Sequence, residues 1–195
     1  MRFADPFQFL PKKNRRSIFF ISGLVTLILL ITLFKINQPL INTCAPFGII
    51  TFELSEDLDS SVSILASWDS TNKMHVALSL GLDFVFILFY ALFLSLVCFK
   101  LSEGLYGNYA TLKVANLGTF MGWLPLFAGI FAIIENFALT QLLLGKQIES
   151  FHSLSQLFGY SKLILIGITI CYIIIGLVIL FVIPKRADIH ICNSQ

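Results

Sequence analysis

Charged residues are scarce in this chain: they fill 12% of its 195 positions, whereas hydrophobic residues fill 57%. The mean hydropathy is correspondingly high, at +0.88. Soluble domains carry about 25% charged residues, so this composition excludes an ordinary soluble protein and indicates an integral membrane protein. The formal net charge of +2 is too small to indicate a nucleic-acid partner.

Sequence motifs for redox chemistry, metal binding and hydrolysis are also absent. The four cysteines form no C-x-x-C pair, which argues against a thiol–disulfide relay. His75 and His152 stand alone, without H-E-x-x-H or a comparable spacing, so the sequence predicts no metal site and identifies no cofactor. Glycine-rich phosphate loops and nucleophile elbows are missing, which argues against nucleotide hydrolysis and serine-hydrolase chemistry.

The chain does contain four long apolar runs, each near the ~20 residues that cross the hydrocarbon core of a bilayer. They cover approximately residues 17–34, 76–99, 118–144 and 163–183. We therefore predict an all-α membrane protein, an antiparallel bundle of four transmembrane helices that forms a single membrane domain over residues 1–195. The first run exceeds the apolar core of a signal peptide and no small-x-small cleavage site follows it, so we interpret it as a retained anchor.

Positive charge at both ends of the chain predicts the orientation. Before the first run lie Arg2, Lys12, Lys13, Arg15 and Arg16, and after the last run lie Lys185 and Arg186. Lysine and arginine concentrate on the cytoplasmic side of a membrane, so we expect both termini to be cytoplasmic. Residues 35–75, between the first two runs, then form an external loop.

This external loop has a helical pattern of its own from Leu58 onward. Apolar residues recur at Val62, Leu65 and Trp68, and Ser55 or Asp57 is the expected N-cap. We expect this helix to lie on the outer ends of the spans, with Trp68 at the membrane interface. Two roles are considered for this helix: it only packs on the ends of the spans, or it covers a polar site.

The loop also carries a Pro-x-Gly-Ile-x-x-Phe-Glu-Leu pattern at residues 46–54. Further short motifs accompany it: Trp68, Gly81-Leu82-Asp83-Phe84 in the second run and Glu135-Asn136 in the third. Over approximately residues 46–136, the chain resembles a set of small four-span bacterial membrane proteins without an established activity. The resemblance implies the same topology, in a bacterial inner membrane, but brings no substrate.

Two acids interrupt the apolar runs, Asp83 in the second and Glu135 in the third. An ionisable group is costly to bury in a span and is a functional-site hypothesis by default. Ser79, Asp83 and Tyr90 fall within about 40° of one another around a helix, so they form one polar stripe. We expect both acids in the outer half of the bundle, about 10 Å and 13 Å below the outer ends of their spans.

Other residues of the third and fourth runs are predicted to complete this region. Gly118, Gly122 and Gly129 share a helical face with Asn136, and we interpret that face as helix packing. Lys162, at the outer start of the fourth run, is available to the acids. The candidate ligand-binding residues are Ser79, Asp83, Tyr90, Glu135, Asn136 and Lys162 from the spans, with Glu53 and Trp68 from the loop.

Two interpretations of this polar region stay open. In the first, an ion pair of Lys162 with Asp83 or Glu135, or an acid hydrogen-bonded to Ser79, Asn136 or Tyr90, only fixes helix register. In the second, the region binds an amphiphilic ligand, such as a lipid, isoprenoid or quinone, or a partner membrane protein or second copy of the chain. The alternatives are an intramembrane enzyme using Asp83 and Glu135 on a lipophilic substrate, and a small proton-coupled carrier. Non-enzymatic binding is favoured, because no catalytic constellation is complete.

Overall fold

The computed structural model describes Phe7, residues 11–106 and residues 112–182. Within these residues every regular element is a helix. The elements are α1 (Lys12–Asn37), a 3₁₀ turn (Gln38–Leu40), α2 (Ile49–Glu53), α3 (Leu58–Ser67), α4 (Ser70–Leu105), α5 (Leu112–Met121), α6 (Leu124–Leu143) and α7 (Glu149–Val182). Lys185 and Arg186, on which the predicted orientation partly rests, lie outside the described residues.

Four segments of the described chain are long and apolar enough to cross a membrane. They are Lys13–Leu40, Ser70–Leu105, Leu112–Leu143 and Glu149–Val182. The predicted all-α bundle of four membrane-spanning segments is thereby confirmed, and the chain is a membrane protein. Its helices extend beyond the predicted runs because polar caps set their ends: Asp69, which precedes α4, accepts a hydrogen bond of 2.7 Å from the backbone N–H of Asn72.

The third predicted run is two helices, α5 and α6, separated by a turn at Gly122 and Trp123. Pro125 explains the break, because it has no N–H for the carbonyl of Met121 and its ring would clash there. Backbone groups freed inside a membrane need new partners. Here the hydroxyl of Ser95 on α4 donates to the carbonyl of Gly122 at 2.5 Å.

The central helix of the bundle is α4, which packs against α1, α5, α6 and α7, while α6 and α7 pack along each other. Small residues allow the close contacts. A side chain at Gly122 would collide with the ring of Phe99, and one at Gly129 would meet Ala91 and Ile87. The glycine face predicted in the third run is therefore a packing surface, as expected.

Helices α2 and α3 cover one end of the bundle, which we call the capped end. Asp57 is the N-cap of α3 and accepts a hydrogen bond of 2.7 Å from the backbone N–H of Ser60. Trp68 is buried, its ring packs edge-on against Phe52, and its indole N–H donates to the carbonyl of Leu40 at 2.9 Å. This buried carbonyl satisfies the polar atom of Trp68 and lets the whole ring join the core, at the end of the first membrane-spanning segment. Its placement at the membrane interface stays a prediction.

Polar side chains fasten α3 to α7 at this capped end. The hydroxyl of Ser61 lies 3.0 Å from Nδ1 of buried His152 and 2.6 Å from the hydroxyl of Ser55. Gln156 donates to the carbonyls of Ser55 and Glu56, the second at 2.9 Å. Ser55 therefore joins this network and does not cap α3. His152, isolated in the sequence, thus connects α3 to α7.

Candidate functional site

A cavity of about 310 Å³ lies at the capped end, with walls from α1, α2, α4, α6 and α7. Most of its walls are apolar side chains. The polar exceptions are Asn37, Glu53, Ser79, Asp83, Tyr90 and Lys162. Five of these six residues belong to the candidate site read from the sequence, and Asn37 is the addition.

One face of α4 forms the polar side of this cavity. The cavity is lined by Ser79, Asp83 and Tyr90, so the polar stripe predicted from helical geometry lies on one wall of it. From Ser79 to Tyr90 this wall extends over about 16 Å of helix. The apolar residues between them on the same face, such as Ile87, complete the wall.

Two hydroxyl groups on this wall have no hydrogen-bond partner in the protein. Ser79 is 4% exposed and Tyr90 is 8% exposed, and the described residues give neither hydroxyl a hydrogen-bond partner, although neither oxygen is fully enclosed. Buried polar side chains are nearly always paired, with protein, water or a ligand. Both hydroxyls are therefore available to a molecule inside the cavity.

An ion pair closes the α6–α7 side of the site. Nζ of Lys162 lies 2.5 Å from Oε2 of Glu135, whose side chain is fully buried. Gly159, one turn before Lys162 on α7, makes room for this carboxylate: a Cβ there would lie 2.7 Å from Oε1 of Glu135. Of the two ion pairs considered for Lys162 from the sequence, this close contact is the one with Glu135.

Asn136 reaches a different partner from its neighbour Glu135. Its amide Nδ2 donates a hydrogen bond of 2.6 Å to Oδ2 of Asp83 on α4. Consecutive residues point about 100° apart around a helix, so α6 contacts α7 through Glu135 and α4 through Asn136. These two contacts fix the register of α6 against both neighbours.

The third acid, Glu53, enters from α2, outside the spans. Its Oε2 lies 3.9 Å from Nζ of Lys162, and its side chain is 20% exposed. Burial raises the pKa of Glu53 to about 7; the ammonium of Lys162 opposes this rise, while the negative charges of Glu135 and Asp83 add to it. This carboxyl therefore changes charge near neutral pH.

Helix α2 is held over the cavity by a contact with the end of α1. Oδ1 of Asn37 accepts a hydrogen bond of 2.7 Å from the backbone N–H of Ile49, and its Nδ2 donates to the carbonyl of Phe47 at 3.1 Å. Gly48 sits between them with φ +62°, and a side chain there would collide with Asn37. Only glycine combines that backbone conformation with this close approach.

The candidate residues from the sequence thus divide into three groups. Glu53, Ser79, Asp83, Tyr90 and Lys162 line the cavity. Glu135 and Asn136 lie behind its wall and hold two lining residues, Lys162 and Asp83. Trp68 does not line the cavity and belongs to the core of the capped end. Sequence reasoning missed Asn37, although a polar residue just after the first apolar run was a visible signal.

The cavity is open on its α1 side. Leu30 and Phe34 line it and are also 52% and 66% exposed, on a helix that a membrane would surround. A molecule in the bilayer can therefore reach the polar wall from the side. No protein-family model, curated protein or solved structure matches this chain, so the site stands on its own geometry.

Proposed function

We propose that this protein binds an amphiphilic molecule, such as a lipid, isoprenoid or quinone, which enters the cavity laterally from the bilayer. The polar end of the molecule would meet Asp83, Glu53 and Lys162, and its apolar part would follow α1. The observation that carries this proposal is a side-open cavity whose polar wall presents two hydroxyls, those of Ser79 and Tyr90, that have no partner among the described residues.

The size and lining of the cavity support a small ligand. Ligand pockets enclose about 300–1,000 Å³ and combine apolar walls with a few placed polar groups. At about 310 Å³, this cavity can hold a polar head and the first part of a chain, with the remainder in lipid. The exposed side chain of Leu30 marks where that chain would leave.

Binding draws more support than catalysis by the two intramembrane acids. General acid–base chemistry requires both groups within hydrogen-bond reach of a substrate. Asp83 lines the cavity, but Glu135 is fully buried behind it and engaged by Lys162. An enzyme that uses Asp83 and Glu135 together would first have to break that ion pair.

A photo-crosslinking experiment tests the binding proposal. The probe is a long-chain alcohol with a diazirine near its hydroxyl end, supplied to the full-length protein in phosphatidylcholine nanodiscs. Leu30→Trp narrows the cavity, whereas Ile31→Trp is the matched control, because Ile31 is 51% exposed on the same helix but does not line the cavity. We expect crosslinks within residues 79–90 in wild type and Ile31→Trp, and few in Leu30→Trp.

Either of two results would overturn this proposal. One is equal labelling of residues 79–90 in both tryptophan variants. The other is labelling spread over residues of α7 that are exposed and do not line the cavity, such as Ile174 and Ile175. Both would mean that the probe samples the surface of the bundle and not the cavity.

We further propose a bacterial inner-membrane location, from the resemblance of residues 46–136 to small four-span bacterial membrane proteins. The positive charges that flank the first and last apolar runs support the placement of both termini in the cytoplasm. The capped end is then external. Cys44 is exposed at that end. An impermeant maleimide added to intact cells should label the wild type but not Cys44→Ser; labelling of Cys44 only after permeabilisation would reverse the orientation.

A further inference from the structure

Among the described residues around the cavity, acidic side chains outnumber basic ones. Lys162 is the one cationic side chain of the described cavity wall, and it pairs closely with Glu135. Glu53 lies farther from the same ammonium, at 3.9 Å, and Asp83 receives the neutral amide of Asn136. Three carboxyl groups therefore share one ammonium, and two of the three face the cavity.

The aromatic walls of the cavity favour a positive charge as well. Phe34, Phe86 and Tyr90 all line it, and the rings of Phe86 and Tyr90 lie 5.2 Å apart, centroid to centroid. Aromatic faces attract organic cations through their electron-rich centres, most strongly where water is excluded. The carboxylates and the aromatic rings thus both favour a ligand with a positive charge.

We propose, building on the amphiphile binding proposed above, that the cavity selects amphiphiles with a cationic head, an amine or a quaternary ammonium. The head lies between the carboxylates of Glu53 and Asp83, beside the ring of Phe86, and the chain leaves past Leu30. A metal ion suits the site less well, because the described residues contain no group of three or more His, Cys, Asp or Glu placed to hold one.

Three probes of equal chain length and different head charge test this selection. Decyltrimethylammonium, decanol and decanoate are titrated into the full-length protein in neutral maltoside micelles, and Leu30→Trp supplies the background from partition into micelles. We expect the ammonium probe to bind at least about tenfold more tightly than decanol, a difference of about 1.4 kcal/mol.

Neutralising the two cavity-facing acids should remove the selection but not the pocket. In Glu53→Gln/Asp83→Asn, we expect the ammonium and alcohol affinities to agree within about twofold. The matched control is Glu56→Gln, since Glu56 is an exposed acid between α2 and α3 that does not line this cavity. That control should keep the preference of the wild type.

The pH dependence of the wild type gives a second measurement, which stands even where the double variant does not fold. Because burial raises the pKa of Glu53 to about 7, its carboxylate gains charge between pH 6 and pH 8. The groups that face it are Lys162, Glu135 and Asp83. We expect the affinity for the ammonium probe to rise over this interval in wild type and to stay flat in Glu53→Gln, while that for decanol stays constant in both.

The remaining outcomes separate the two proposals. Equal affinities for all three probes would overturn the cationic preference and leave amphiphile binding intact. Preference for decanoate would also overturn it, in favour of Lys162 as the partner of the head. Binding no stronger than in Leu30→Trp, for every probe, would refute amphiphile binding itself.

Discussion

Replacing Lys162 with methionine tests whether the buried ion pair supports the fold. The methionine keeps most of the apolar stem but leaves the fully buried carboxylate of Glu135 without the ammonium 2.5 Å away. Breaking a buried pair by removing one partner generally costs about 3–5 kcal/mol of unfolding free energy. We therefore expect Lys162→Met to be strongly destabilising at neutral pH.

An upper bound on this loss follows from protonation, because an unpaired carboxyl can take a proton instead of staying charged. From the ordinary glutamate pKa of about 4.3, protonation costs about 1.36 kcal/mol per pH unit, or about 3.7 kcal/mol at pH 7 and about 1 kcal/mol at pH 5. The destabilisation by Lys162→Met should thus reach at most about 3.7 kcal/mol at pH 7 and at most about 1 kcal/mol at pH 5.

Equilibrium unfolding in mixed detergent micelles with increasing dodecyl sulfate, followed by far-UV circular dichroism at both pH values, measures these free energies. Lys146→Met is the matched control, since Lys146 is exposed and its ammonium hydrogen-bonds to the side chain of Gln141; we expect a change in unfolding free energy below about 0.5 kcal/mol. The double variant Lys162→Met/Glu135→Gln should be about 2 kcal/mol more stable than Lys162→Met at pH 7, because it leaves no carboxylate unpaired at this contact. A loss under about 1 kcal/mol that is equal at both pH values would refute the reasoning.

The glycines at helix contacts give two further predictions for the same unfolding assay. Gly159→Ala places a Cβ 2.7 Å from Oε1 of Glu135 and should cost about 1–3 kcal/mol by displacing that carboxylate. Gly122→Ala forces a methyl group into the ring of Phe99 and should cost a similar amount. Gly167→Ala is the control, because nothing lies within 4 Å of a Cβ there, and it should leave stability unchanged or slightly higher. Equal losses in all three variants would mean that helix flexibility, not steric overlap, is responsible.

Features that depend on one helix alone could be predicted from the sequence. The apolar runs located the four spans, because hydrocarbon thickness sets their length regardless of how they pack. The polar stripe of Ser79, Asp83 and Tyr90 followed from the 100° advance per residue, and all three line one cavity wall. The N-cap Asp57 was also a local signal, since a cap bonds within its own helix.

Features that depend on contacts between elements were missed. Helix α2 has only five residues, and its position rests on hydrogen bonds from Asn37, a residue of a different helix. Without that contact nothing in the sequence brings Glu53 toward Lys162. The burial of Trp68 was missed because its acceptor, the carbonyl of Leu40, could not be anticipated. By contrast, Pro125 is a local signal for the break between α5 and α6 within the predicted third run.

The partner of Lys162 depends on the relative height of neighbouring helices. Helical geometry gives the direction of a side chain around its own axis, but not its height against a neighbouring helix, so Asp83 and Glu135 were equal candidates. A glycine on the same face one turn away carries part of the missing information. Gly159 lies three residues before Lys162, and its missing side chain leaves the space that the carboxylate of Glu135 occupies. That space lies one turn from Lys162, and the fully buried carboxylate of Glu135 fills it within 2.5 Å of the ammonium.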